Sequence, residues 1–117
     1  KKMAGSAAEG TYAWNYGTPL QDLPRGVAFE KKLKDKYGVG VVQSSPAAYD
    51  ATWAAITAMV KAQSDDPAVY LPVLKDSSYD GVTGVIAFDD AGNLKNAAAT
   101  IFQFEGGKWK TLSIERD

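Results

Sequence analysis

Ser45-Pro46-Ala47-Ala48-Tyr49-Asp50-Ala51-Thr52-Trp53-Ala54-Ala55-Ile56-Thr57-Ala58-Met59-Val60 and the later run Gly81-Val82-Thr83-Gly84-Val85-Ile86-Ala87-Phe88 are the stretches whose periods decide the fold. In the first, Tyr49, Trp53, Ile56 and Val60 recur at i, i+4, i+7 and i+11, which is one face of a helix. Ala51, Ala54, Ala55 and Ala58 surround them, as expected of a helix packed closely on two sides, against a sheet. Ser44-Ser45-Pro46 opens it, with Ser45 expected as N-cap and Pro46 at the first helical position, where a missing N–H costs nothing. In the second run the helical period is gone, and Gly81–Phe88 reads as a strand closed by the turn Asp89-Asp90-Ala91-Gly92-Asn93.

Toward the N-terminus, Gly10 to Tyr16 places aromatics at Tyr12, Trp14 and Tyr16, a period of two that predicts a strand with one aromatic face. Asp22-Leu23-Pro24 offers a helix start, Phe29, Leu33 and Tyr37 its inner stripe, and Gly38 a left-handed stop. Residues 38–43 read as a short linker or strand. Toward the C-terminus, Ser64-Asp65-Asp66-Pro67 repeats the cap-then-proline signal, and Pro72 is expected to keep that helix short. Ala99–Phe104 and Lys108–Ile114 read as strands around Gly106-Gly107, a tight hairpin signal, with Trp109 and Leu112 as apolar anchors. A strand, three helices and three strands imply a mixed α/β layer architecture.

The chain has 117 residues, a one-domain length, with 13 basic and 14 acidic side chains and a net charge of −1. That balance gives no basic footprint for nucleic acid. It contains neither Cys nor His, which removes thiol catalysis, disulfides, Ser-His-Asp triads and the usual zinc ligands. A non-enzyme without a cofactor is the expectation. No apolar run reaches a membrane span. Lys1-Lys2-Met3-Ala4-Gly5 precedes no apolar stretch, so no signal peptide is expected in this sequence.

Five features could carry chemistry. Asp89–Asn93 faintly resembles a calcium loop, but the position that needs a bidentate Glu is Thr100, so a polar turn is expected. Gly81-Val82-Thr83-Gly84 lacks the lysine and helix of a phosphate loop. The adjacent pairs Asp65-Asp66 and Asp89-Asp90 cannot face each other across a bond, and read as capping and turn chemistry. Tyr12, Trp14 and Tyr16 could stack on a sugar or line a cleft, or form a core face, with Tyr16 at the strand end where α/β sites lie. Gln43-Ser44-Ser45 precedes a helix N-terminus, which attracts a carboxylate, although plain capping uses the same residues.

Further strings, in order, are Ala7-Ala8-Glu9-Gly10 before the aromatic strand, Phe29-Glu30-Lys31-Lys32-Leu33-Lys34-Asp35-Lys36-Tyr37-Gly38, Ala48-Tyr49-Asp50-Ala51, and Tyr79-Asp80-Gly81-Val82-Thr83-Gly84 with Ile86-Ala87-Phe88-Asp89. In this order the sequence resembles the C-terminal part of the branched-chain amino-acid (Leu/Ile/Val-type) substrate-binding proteins of ABC transporters, over nearly the whole chain. The resemblance implies a three-layer αβα, periplasmic-binding-protein-like type I α/β fold, present here as a C-terminal fragment. It implies residues 18–96 in a first lobe and residues 1–17 and 97–117 in a second. It further implies a periplasmic receptor that holds a small-molecule ligand, an amino acid, between its lobes and delivers it to a membrane ABC permease. The expected cleft residues are Asn15, Tyr16, Gln43 and Ser44. Relatives often place a large apolar side chain where Gln43 and Ser44 stand, a departure from leucine-type specificity. Sheet edges lacking their flanking strands predict pairing or strand swapping with a second copy. The alternative is an autonomous carbohydrate-binding or protein-interaction module built on the aromatic strand face.

Overall fold

The computed structural model describes residues 4–42 and 44–116. Its strands are β1 (Tyr12–Tyr16), β2 (Tyr79–Asp80), β3 (Val85–Ile86), β4 (Ala98–Glu105) and β5 (Lys108–Arg116). Its α-helices are α1 (Gly26–Tyr37), α2 (Ser45–Ala62) and α3 (Pro67–Lys75). The chain divides into two compact units, residues 1–19 with 96–117, and residues 20–95.

The first unit is an antiparallel sheet in the order β1-β4-β5. Gly106 and Gly107, at φ 59° and 77°, make the two-residue turn between β4 and β5, a conformation that L side chains resist. Both turn N–H groups donate to the Glu9 carboxylate at 3.0 Å. The β4–β5 register shifts between Ile101 and Phe102, skipping Leu112, a bulge that adds local twist. Thr100 and Phe104 are buried on one face, and Phe104 meets Trp109 edge-on at 5.2 Å. The other face carries Tyr12, Trp14 and Tyr16, all exposed. Among the described residues, the outer edges of β1 and β5 have no ladder partner.

The second unit holds the helices and the small β2–β3 hairpin, with a core of Leu23, Ala54, Ala58 and Val82. Several expectations are corrected here. Gly81–Phe88 is not one strand: β2 and β3 pair across a turn in which Gly84 has φ +119°. The Val82 and Thr83 N–H groups turn away from any ladder to the Asp50 carboxylate. The buried stripe of α2 is Pro46, Asp50, Ala54 and Ala58, one residue beyond the aromatic line; Tyr49, Trp53, Ile56 and Val60 stand exposed. The cap position of α2 is Ser44, and Ser45 is its first helical residue. Helix α1 begins at Gly26, after a 3-10 turn over Leu20–Asp22, and the Leu20 carbonyl O lies 2.0 Å from where a Cβ at 26 would stand, an approach that only glycine admits. No strand forms over 38–42. Helix α3 runs through Pro72 to Lys75, since one lost bond near its end leaves the remaining ladder intact. Gly38 closes α1 at φ 68°, and Asp66 caps α3 by accepting from the Ala68 N–H at 2.9 Å.

Candidate functional site

In the first unit, β1 delivers Asn15 and Tyr16 to its C-terminal end, opposite Thr100 and Ala99 of β4. Gly17, at φ +83°, ends the strand. Its N–H donates to the Ala98 carbonyl at 2.6 Å, and its own carbonyl accepts from Thr100 Oγ1 at 2.7 Å. The buried Thr100 thus fixes the backbone that carries both candidates. Asn15 is half-buried and Tyr16 is 55% exposed. Tyr16 shares its face with Trp14 and Tyr12, whose hydroxyl accepts from Gln103 Nε2 at 3.1 Å. An aromatic row of this kind offers stacking surface, and a phenol at its end offers a donor and an acceptor.

In the second unit, Ser44 stands exposed at the start of α2, with its side chain making no capping bond. The Ser45 hydroxyl instead accepts from the Val42 N–H at 3.1 Å, and the Ser45 N–H donates to the Val42 carbonyl at 2.9 Å. The helix N-terminus favours negative charge at this end. Gln43 lies outside the described residues. Asn15 and Tyr16 are therefore neighbours on one strand, and Ser44 belongs to the other unit.

Asp50 is the residue that inspection of adjacent carboxylates misses. It is 1% exposed. Its Oδ1 accepts from the Val82 N–H at 2.8 Å, and its Oδ2 from the Thr83 N–H at 2.7 Å and Thr83 Oγ1 at 2.6 Å. Bonds of this charge-assisted kind are about twice as strong as neutral ones. Arg25 also holds this turn, donating to the Asp80 carbonyl at 2.7 Å, the Gly81 carbonyl at 3.3 Å and the Asp80 carboxylate. Burial first, and then the negative charge of Asp50, pushes the Tyr79 phenol above its ordinary pKa. The available signal was an aspartate at i+4 from Pro46 and i−4 from Ala54, inside an otherwise apolar stripe.

An open groove of about 340 Å³ in the same unit is lined by residues including Lys75, Ser77, Phe88, Asp90 and Lys95. Among the described residues, no group of three or more His, Asp or Glu side chains could hold a metal ion. None of the described helices is long and apolar enough to cross a membrane. At Asp89–Asn93 the Asp89 carboxylate accepts from the Asn93 N–H at 2.8 Å and from Asn93 Nδ2 at 3.1 Å, which is turn chemistry.

A sequence model of the periplasmic binding protein family matches residues 1–108. A leucine-binding protein from Thermotoga maritima superposes with a TM-score of 0.75 at 21% identity, over 97% of this chain and 33% of that one. An ABC transporter substrate-binding protein from Desulfitobacterium hafniense, solved in complex with Leu, is 25% identical with a TM-score of 0.70, over 90% of this chain and 32% of that one. Gamma-aminobutyric acid type B receptor subunit 1 from Caenorhabditis elegans is 29% identical over 108 residues, covering 74% of this chain and 12% of the receptor. The chain thus spans about a third of the length of these solved structures. Its mixed helices and strands form part of the type I periplasmic-binding-protein fold.

Proposed function

The chain belongs to the periplasmic binding protein family, and on that premise we propose that it is the C-terminal part of a two-lobed periplasmic receptor for amino acids. That receptor holds its ligand in the cleft between the lobes and presents it to an ABC permease. The observation that carries this reading is the likeness, at 25% identity over 90% of the chain, to a substrate-binding protein solved with Leu. Residues 18–96 are assigned to the first lobe, and 1–17 with 97–117 to the second.

Binding, on this proposal, needs no bond made or broken. The Ser44 end of α2 meets the ligand carboxylate, where the helix N-terminus favours an anion. Gln43 supplies a polar neighbour, and Asn15 and Tyr16 meet the ligand from the second lobe. Polar groups at 43 and 44 favour a smaller or more polar amino acid than leucine. Closure of the lobes excludes water and strengthens each polar contact.

Thermal melting of the full-length protein against each of the twenty common amino acids tests this. A ligand that binds only the folded state raises the melting midpoint. A rise with one chemically related subset is expected, and no rise with any of them overturns the proposal.

One observation favours a second reading, an autonomous stacking module: Trp14 is 74% exposed beside Tyr12 and Tyr16. The same exposure fits a face that the remainder of the receptor covers. Emission of the isolated chain that is quenched or blue-shifted by soluble oligosaccharides would favour the module.

A further inference from the structure

The buried stripe of α2 poses a positioning problem. Ala54 and Ala58 are 5% and 1% exposed, and methyl groups offer little relief to index a helix along its axis. Sliding such a smooth stripe disturbs few contacts. A carboxylate held on both oxygens behaves differently. Asp50 Oδ1 is held by the Val82 N–H at 2.8 Å, while Oδ2 is held by the Thr83 N–H at 2.7 Å and the Thr83 hydroxyl at 2.6 Å. Two anchored oxygens fix both the translation and the rotation of the helix at that residue.

The receiving turn is itself built for this contact. A Cβ at Gly81 would lie 2.5 Å from Asp50 Cγ and from Oδ2, so only glycine admits the carboxylate. Arg25 bonds to the Asp80 and Gly81 carbonyls and so holds the turn in place. A well-packed apolar side chain often stabilises as well as or better than a buried charge, so burying an aspartate here serves register better than it serves stability. Pro46 is buried on the same stripe one turn toward the N-terminus. Ser44 lies about 9 Å along the axis from Asp50. Residue 42 in turn takes its place from α2, through the paired Val42–Ser45 bonds at 3.1 and 2.9 Å.

We infer that Asp50 is a positioning residue for ligand recognition: by locking α2 to the Gly81–Thr83 turn it sets where the Ser44 end of the helix meets the solute. This rests on the amino-acid receptor proposed above. It assigns to Asp50 a role in affinity that a residue serving stability alone would not have.

The experiment uses the full-length protein, wild type and the variants Asp50→Asn and Thr83→Val, with Gly38→Ala as a control at the far end of α1. Calorimetric titration with the twenty L-amino acids, each as a separate probe, is run well below every melting midpoint, beside thermal melts without ligand. Asp50→Asn keeps the shape but turns an amide N–H toward backbone donors, so affinity is expected to fall by about tenfold or more. Thr83→Val removes the hydroxyl bond alone, and a fall of about two- to fivefold is expected. Gly38→Ala is expected to lower the melting midpoint and leave affinity unchanged, since strain at a left-handed cap is local. Asp50→Asn that melts cooperatively and binds as wild type overturns the inference. If Asp50→Asn fails to fold, Thr83→Val decides alone, and wild-type affinity there overturns it equally. A wild-type protein that binds none of the probes overturns the receptor proposal and this inference together, whereas wild-type binding with unmoved variants overturns this inference only.

Discussion

The Asp50 carboxylate occupies the space that a side chain at Gly81 would need, its Cγ lying 2.5 Å from where a Cβ would stand. Gly81 is itself buried and Asp50 is 1% exposed, so neither can move toward solvent without opening the unit.

Gly81→Ala is therefore expected to destabilise the full-length protein by about 2–3 kcal/mol, through overpacking and weakened bonds to the carboxylate. Asp50→Ala leaves the Val82 and Thr83 donors unpaired and is expected to cost a similar amount. Residues that share one contact do not add. In the Asp50→Ala background, Gly81→Ala should cost less than half its value in wild type. Urea unfolding of the four proteins measures this, and strict additivity would show that the two residues do not compete for the same space.

The Tyr79 phenol gives an alkaline signature. Burial and the Asp50 charge raise its pKa in the folded state. The folded protein then binds that proton more tightly than the unfolded chain does. The stabilisation is complete below the unfolded value, about pH 10, and is lost as pH rises through the higher folded value. Among the six tyrosines, the absorbance titration of tyrosinate should show a late-ionising group that Tyr79→Phe removes. A titration unchanged by that substitution would contradict the placement of Tyr79.

Two surface carboxylates give the opposite sign. Asp89 is held below its ordinary pKa by hydrogen bonds from Asn93, side chain first. Glu105 is lowered by its hydrogen bond from Lys110 at 2.6 Å and then by that cation's charge. Each contributes stability that is present above the unfolded carboxylate value and lost as pH falls through the lower folded one. Carboxyl carbon shifts followed by NMR should show Glu105 moving up toward ordinary behaviour in Lys110→Ala, and Asp89 doing so in Asn93→Ala. The effect on overall stability should be small, since exposed pairs are well screened.

Self-association is expected of the chain expressed alone. The outer edges of β1 and β5 have no ladder partner among the described residues, and Tyr12, Trp14 and Tyr16 stand exposed on β1. Edges of this kind recruit further strands. Light scattering across a range of concentrations should show mass rising with concentration, and Trp14→Glu should reduce the rise. A monomer at every concentration would contradict it.

Much of the fold is legible in local signals, and the reasons differ by element. The β4–β5 hairpin follows from Gly106-Gly107, because a positive φ at both positions, which glycine adopts freely, gives a two-residue turn that matches strand twist. Gly38 and Asp66 likewise announce their caps through chemistry confined to a few residues. The buried face of α2 was not legible in the same way. Tyr49, Trp53, Ile56 and Val60 make the stronger periodic pattern, yet the adjoining line of small residues is the one buried in this chain. Hydrophobic size measures how much a face gains by burial, while close approach of a second element selects for small side chains. The Gly81–Phe88 run looks continuous because nothing local reveals that its Val82 and Thr83 N–H groups are claimed by a carboxylate thirty-two and thirty-three residues earlier. For the candidate site, β1 does present Asn15 and Tyr16 at its end, but Asp50 was invisible to a search for neighbouring carboxylates, since its partners are two backbone N–H groups and a threonine hydroxyl.

The most direct measurement is calorimetric titration of the full-length protein with an amino acid that raises its melting midpoint, followed by denaturation and analysis of the released solute. One solute bound per chain, with a negative heat-capacity change and recovery of the amino acid chemically intact, is the expected result. Absence of saturable binding, or release of an altered molecule, would contradict the account of a receptor that grips its cargo without transforming it.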